Sequence, residues 1–218
     1  ENNYAHLGAV VDQTKNVDSN QQQFIEKTIH IMKQHAGIQL RDMNDIIMYS
    51  KLYLSAFHKS ELYLDWEPWG DVYRSIQVSH DFMTFNFQKR RIWAFTMDIF
   101  HNIHNTPWTH ALKGKRILII SPFVDSFKQQ LKHRENIYGI DLFPECKFIF
   151  LKPPQTQAET DSRVFIEELN EFLPKLEKIR DDFDVALCSC GGYENLICSR
   201  LYDMNKSAIY VGGVLQMY

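Results

Sequence analysis

Four short runs of mainly apolar residues, separated by stretches of helical spacing, constrain the C-terminal half of the chain most. They are Arg116-Ile-Leu-Ile-Ile120, Lys147-Phe-Ile-Phe-Leu151, Phe183-Asp-Val-Ala-Leu-Cys188 and Ser207-Ala-Ile-Tyr-Val211. A near-continuous apolar run bounded by loop residues suits a strand covered on both faces. Between the runs the spacing predicts helices over 124–134, from Asp161 or Ser162 to about Arg180, and over Glu194–Met204. Pro174 is placed to kink or restart the second of these helices. Strand alternating with helix in this way implies βαβ units and a parallel sheet. The expected fold class is therefore α/β, with a Rossmann-like parallel sheet over 107–218 and a mainly helical N-terminal part over 1–106 capping it. The two parts are expected to form one integrated domain.

The N-terminal part reads differently. After a polar lead-in of 18 residues, Ser19 and Gln22 resemble a capping box. Phe24, Ile25, Thr28, Ile29 and Met32 then recur at helical spacing, and Gly37 stands where a C-terminal cap belongs. Residues 42–58 predict a second helix, with strand as the competing reading because of Ile46-Ile47 and the tyrosines. Residues 59–79 read as irregular, punctuated by Pro68 and Gly70. A long helix is expected from Asp81 to about His104, with Phe85, Ile92, Phe95, Ile99 and Ile103 on one face and Lys89-Arg90-Arg91 largely off it.

Charge and cysteine usage narrow the function classes. Among 218 residues, 24 Lys and Arg stand against 27 Asp and Glu, a net charge of −3. Such a balance lacks the basic footprint of a nucleic-acid binder. No apolar run is long enough to span a bilayer, and no signal-peptide pattern opens the chain. The four cysteines form no CxxC pair and no second pair that would complete a zinc site. They read as reduced thiols, and the expected location is cytoplasmic. The sequence opens on Glu1 and closes inside the apolar stretch Val214–Tyr218, so it is expected to belong to a longer polypeptide whose other domains are its partners.

Parallel open sheets bind ligands at the carboxyl ends of their strands. Four loops are thereby candidates: Ser121-Pro122-Phe123, Pro153-Pro154-Gln155-Thr156-Gln157, Ser189-Cys190-Gly191-Gly192-Tyr193-Glu194, and Gly212-Gly213. The third is the sharpest. Paired glycines let a ligand approach the backbone closely, and a following helix N-terminus offers N–H groups to an anion such as a diphosphate. The same glycines also suit plain tight turns. No GxGxxG, P-loop or GxSxG pattern occurs, which argues against dinucleotide enzymes, P-loop ATPases and α/β-hydrolases. A methyltransferase is the weakest of the enzyme readings, because Ser121-Pro122-Phe123 lacks a glycine-rich turn.

Three ordered motifs carry a family resemblance. They are Pro107-Trp108-Thr109-His110-Ala111-Leu112-Lys113-Gly114-Lys115-Arg116 running through Ser121-Pro122-Phe123 to Gln129-Gln130, Asp184-Val-Ala-Leu-Cys-Ser-Cys190-Gly191-Gly192-Tyr193, and Ala208-Ile-Tyr-Val-Gly212-Gly213-Val-Leu-Gln216. In order and spacing residues 107–218 resemble the glycosyltransferase-like domains of GT-D type found in polysaccharide and glycan assembly proteins. The chain departs from that pattern at Gly192, where the family has alanine, at Glu194, where it has glycine, and at Tyr210, where it has histidine.

The resemblance implies transfer of a sugar from a nucleotide-sugar donor, with a UDP-sugar favoured, to a saccharide or glycan acceptor. Ser121, Pro122, Phe123, Gln155, Thr156, Ser189, Cys190, Gly191, Gly192, Tyr193, Glu194, Gly212, Gly213 and Gln216 are then the expected donor-binding residues. Ser121, Thr156, Ser189 and Tyr193 would donate hydrogen bonds, and Tyr193 or Trp66 and Trp69 would stack on base or sugar. Transfer also needs a base for the acceptor hydroxyl and charge neutralisation on the leaving diphosphate. Asp65 and Glu67 form the compact loop carboxylate cluster and resemble the Asp-x-Glu pair that some GT-D-type enzymes use, with a solvated loop as the competing reading and Asp81 beside His80 as a second candidate. An oxygen-ligand metal here would be Mn²⁺ or Mg²⁺. The alternative reading is a non-catalytic carbohydrate- or partner-binding module that keeps the fold and has lost the chemistry.

Overall fold

A computed structural model describes residues 19–65, 86–133, 138–154, 156 and 162–218. The chain divides into two compact units, Glu1–Trp93 with Thr156–Phe165, and Ala94–Gln155 with Ile166–Tyr218. Each contains a parallel sheet and helices, so the fold is mixed α/β. No helix among the described residues is long and apolar enough to cross a membrane.

In the first unit, helix α1 (Ser19–Ile31) continues as a π-helical turn, Met32–Ala36, and stops at Gly37. Gly37 has φ 66°, and its N–H and that of Ile38 both donate to the Met32 carbonyl, a glycine C-cap as expected. Helix α2 (Met43–Lys59) resolves the strand-or-helix ambiguity of this segment. Asp42 starts it by accepting from the N–H groups of Asn44 and Asp45. Ile46, Tyr49, Ser50, Ala56 and Phe57 are buried along it, a helical stripe rather than an alternation. Tyr49 meets Phe165 edge-on at 5.2 Å, and Phe57 meets Phe87 at 4.7 Å.

Two expectations in this region are corrected. Residues 62–65 form a strand, β1 (Leu62–Asp65), where an irregular segment was expected. Strand β2 (Arg90–Trp93) pairs with it in parallel, with Asp65 opposite Trp93. The long helix over 81–104 is therefore absent from its described part. In its place are β2, a 3₁₀ turn at Ala94–Met97 and the short helix α3 (Ile99–Asn102). The apolar spacing misled because burial does not follow it: Ile99 is buried, whereas Phe95 is exposed. Local hydrogen bonds also compete with a continuous helix. Asp98 caps the N–H of Phe100, and the Asn102 amide donates to the carbonyls of Thr96 and Asp98. Lys89 donates to the carbonyls of His58 and Ser60, placing its positive charge at the C-terminal end of α2.

The second unit holds the sheet that the apolar runs predict. Strands β3 (Arg116–Ile120), β4 (Lys147–Leu151), β5 (Val185–Cys188) and β6 (Ser207–Tyr210) are all parallel, in the order β4-β3-β5-β6. Register pairs Ile119 with Phe150 and Leu187, and Leu187 with Ile209. Ile117 through Ile120 are all buried, as are Val185 through Cys188, so the two central strands are covered on both faces. Leu112, Ile117, Ile119, Phe143, Val185, Leu187, Val211 and Leu215 make one core cluster. Helices α4 (Val124–Gln130), α5 (Phe165–Lys178) and α6 (Glu194–Asp203) separate the strands, and α5 runs through Pro174 without ending there.

Several residues of the quoted motifs serve this architecture. Arg116, opening β3, donates from Nη2 to Asp184 Oδ1 at 2.6 Å and from its backbone N–H to Oδ2 at 2.8 Å. Asp184 immediately precedes β5, so the pair ties the amino ends of two neighbouring strands. The guanidinium holds the Asp184 carboxyl down to about 2. Trp108 Nε1 donates to the Tyr218 hydroxyl at 2.9 Å, and that hydroxyl donates to the Met97 carbonyl at 3.0 Å.

Candidate functional site

The carboxyl ends of β3, β5 and β6 lie side by side because these strands are parallel neighbours. From β3 the chain steps outward to β4 on one side, then to β5 and β6 on the other. Strand order thus reverses between β3 and β5, and open α/β sheets bind ligands in the crevice at such a reversal. Ser121 leaves β3 and Ser189 leaves β5 at this point, with 0% and 3% of their surfaces exposed. Ser189 N–H donates to the Ile120 carbonyl at 2.8 Å, which binds the second loop to the end of β3. Ser121 Oγ accepts from the N–H of Phe123 at 3.2 Å, turning the chain towards α4 and leaving Phe123 47% exposed.

The loop after β5 turns sharply at Gly191, whose φ is 61°, and passes through a 3₁₀ turn, Gly191–Tyr193, into α6. The loop after β6 turns at Gly212, with φ 69°. Both values lie in the left-handed region that favours glycine. The two glycines after β6 are not equivalent. A Cβ on Gly212 would meet Tyr210 Cε2 at an ordinary 3.6 Å, so only backbone strain opposes it, whereas a Cβ on Gly213 would meet nothing within 4 Å. Gly212→Ala is expected to cost about 1–2 kcal/mol, and Gly213→Ala to stay within about 0.5 kcal/mol of wild type. Denaturant unfolding of the two variants checks the contrast.

Glu194 joins the two glycine loops. Its Oε1 accepts from the N–H groups of Cys190 at 2.6 Å and Gly191 at 2.7 Å, and its Oε2 accepts from Gly212 N–H at 3.1 Å. Only 2% of the residue is exposed. Burial pushes its carboxyl up to about 8, against the three N–H donors, which pull it down. Burial likewise raises the Cys190 thiol, with the neighbouring Glu194 charge adding to it. The Cys188 thiol is raised first by a hydrogen bond with the Cys198 thiol and then by burial. Thiolates are disfavoured at both positions, which argues against a nucleophile.

The expected site residues are distributed unevenly. Ser121, Pro122, Phe123, Ser189, Cys190, Gly191, Gly192, Glu194, Gly212 and Gly213 all lie at or just beyond the tips of β3, β5 and β6. Gln216 lies further on, exposed in the 3₁₀ segment Gly212–Met217. Tyr193 is corrected: at 1% exposure its ring is core and presents no face for stacking. Glu194 is present but contacts the very amides expected to receive a diphosphate. Thr156 is buried in the first unit, where its hydroxyl donates to the Gly37 carbonyl. Asp65 ends β1 rather than sitting in a loop. Glu67, Asp81, Gln155, Trp66 and Trp69 lie outside the described residues. Among the described residues no group of three or more His, Cys, Asp or Glu is arranged to hold a metal.

The contact from Glu194 to Gly212 spans 18 residues, and no local pattern signals it. The nearer contacts have a local signal, since Glu194 opens α6 and reaches back three and four residues to N–H groups, as a capping-box glutamate does. Comparison of the chain with family models, curated proteins and solved structures finds no match.

Proposed function

We propose that this chain is a glycosyltransferase domain that transfers a sugar from a nucleotide-sugar donor, a UDP-sugar by preference, to a saccharide or glycan acceptor. On this reading the second unit is a Rossmann-like donor-binding sheet. One observation carries the proposal. Three motifs separated in sequence pass through Ser121, Ser189 to Gly192, and Gly212-Gly213, and those segments come together at adjacent strand tips beside the reversal of strand order. The glycine loops would offer backbone N–H groups to its diphosphate, whereas Ser121 and Ser189, 0% and 3% exposed, hold the strand tips rather than face the donor. Asp65, Glu67 and Asp81 supply the candidate base, and carboxylate oxygens would suit Mn²⁺ or Mg²⁺.

Calorimetric titration with UDP and a panel of UDP-sugars, with donor hydrolysis followed in parallel, tests this. Binding and slow hydrolysis are expected, with turnover falling about 10²–10⁴-fold in Asp65→Ala or Glu67→Ala if either acts as the base. Absence of binding by the folded protein at millimolar nucleotide contradicts the proposal. Glu194 favours a second reading, a non-catalytic carbohydrate- or partner-binding module, because the amides a diphosphate would use already have a partner. Saccharide binding without any donor binding or hydrolysis would select that reading.

A further inference from the structure

We propose that Cys188 and Cys198 are a reversible oxidation site, at which hydrogen peroxide forms a disulfide that ties the carboxyl end of β5 to α6. The assignment stands apart from the transferase reading, because the two thiols meet whether or not a nucleotide binds.

The fold brings the pair together. Cys188 is the last residue of β5 and fully buried, and the ladder holds its backbone between Ile120 of β3 and Tyr210 of β6. Helix α6 packs back on β5 and β6. Glu194, Ile197 and Leu201 are buried at helical spacing along α6, and Cys198, one turn beyond Glu194, shares that face. The Glu194 bonds to the N–H groups of Cys190 and Gly191 fix the start of the helix at the strand end. Between these held backbones the Cys188 and Cys198 thiols, both free, are in hydrogen-bond contact. A disulfide needs two side chains that face each other, a condition that thiols in contact meet. Cys146 instead donates to the Leu112 carbonyl.

Cys198 is the entry point, because it is half-buried whereas Cys188 is shut away from solvent. Its sulfur bonds to one peroxide oxygen as the O–O bond breaks, giving a sulfenic acid and one water. The Cys188 sulfur then bonds to the Cys198 sulfur and the S–O bond breaks. The departing hydroxyl leaves as water with the Cys188 proton. Two thiols lose two electrons, and one peroxide becomes two waters. The buried Cys188 thiol holds its proton and attacks weakly, and contact with its target offsets that. The ring so closed takes in residues 189–197, including the turn at Gly191 and the start of α6. A reducing compartment reopens it.

The test treats the reduced full chain with hydrogen peroxide, counts thiols after unfolding and digests without reductant. Wild type is expected to keep its monomer mass, to lose two of its four thiols and to regain them in dithiothreitol. Cleavage after Glu194 falls between the partners, so the two fragments should stay joined until reduced. Cys190→Ser should form the same link, and Cys198→Ser should lose no thiol pair. Neither substitution touches the fully buried Cys188. Where Cys190→Ser fails to fold, tandem mass spectrometry of the joined wild-type fragments decides, placing the link on Cys188 or, against the proposal, on Cys190. Four thiols surviving in peroxide-treated wild type overturn the proposal. So do a Cys198 that advances to sulfinic acid without a link, loss of the link in folded Cys190→Ser, and a dithiothreitol-reversible loss of two thiols in Cys198→Ser.

Discussion

Between about pH 5 and pH 8 the wild-type chain is expected to lose on the order of 3 kcal/mol of stability that Glu194→Gln does not lose. Burial raises the Glu194 carboxyl to about 8, above the 4.5 of an exposed glutamate. In that window the folded chain keeps a proton that the unfolded chain has released. Stabilisation from this group is therefore complete below about 4.5 and is lost as pH rises through 8. The thiols of Cys188 and Cys190, which feel the Glu194 charge, are raised well above their ordinary value and do not titrate there. Asp184, held down to about 2, works in the opposite sense, contributing above the ordinary aspartate range and fading as pH falls towards 2. Denaturant unfolding of both proteins at several pH values measures the difference. A stability gap between wild type and Glu194→Gln that stays constant with pH would mean that Glu194 is charged in the folded chain throughout.

Leu187→Ala is expected to be strongly destabilising, costing about 2–5 kcal/mol. Leu187 is fully buried in β5, pairs with Ile119 and Ile209 across the sheet, and belongs to the main core cluster. Its neighbours are held by strand register and cannot move in to fill the space. The melting midpoint should fall by roughly 4–20 °C. Ile209→Ala, on the outer strand β6 and only partly buried, should cost distinctly less. Equal effects at the two positions would show that β5 is not the packed centre of the unit.

Different parts of this architecture were visible in the sequence for different reasons. Strands β3 and β4 could be read to the residue, because apolar runs at 116–120 and 147–151 are bounded by loop residues. Strands β5 and β6 lost only end residues, since Phe183 and Val211 are buried without lying in the ladder. The segment before residue 104 misled, because apolar residues at helical spacing there are not all buried. Two four-residue strands there pair across a gap of 24 residues, which no local pattern can signal. The site shows the same limit. Glycines 191 and 212 could be located from their place after strands, but the burial of Tyr193 and the reach of Glu194 to Gly212 depend on how loops from separate strands meet. Thr156 was assigned to a strand-tip loop by adjacency to β4, whereas it belongs to the first unit, where its hydroxyl bonds to Gly37.

Determining the structure of the wild-type chain with UDP bound tests the account most directly. The diphosphate is expected against the glycine loops after β5 and β6, at the carboxyl ends of the strands beside the reversal of strand order. UDP bound away from these strand tips, or no UDP bound at all, would contradict it.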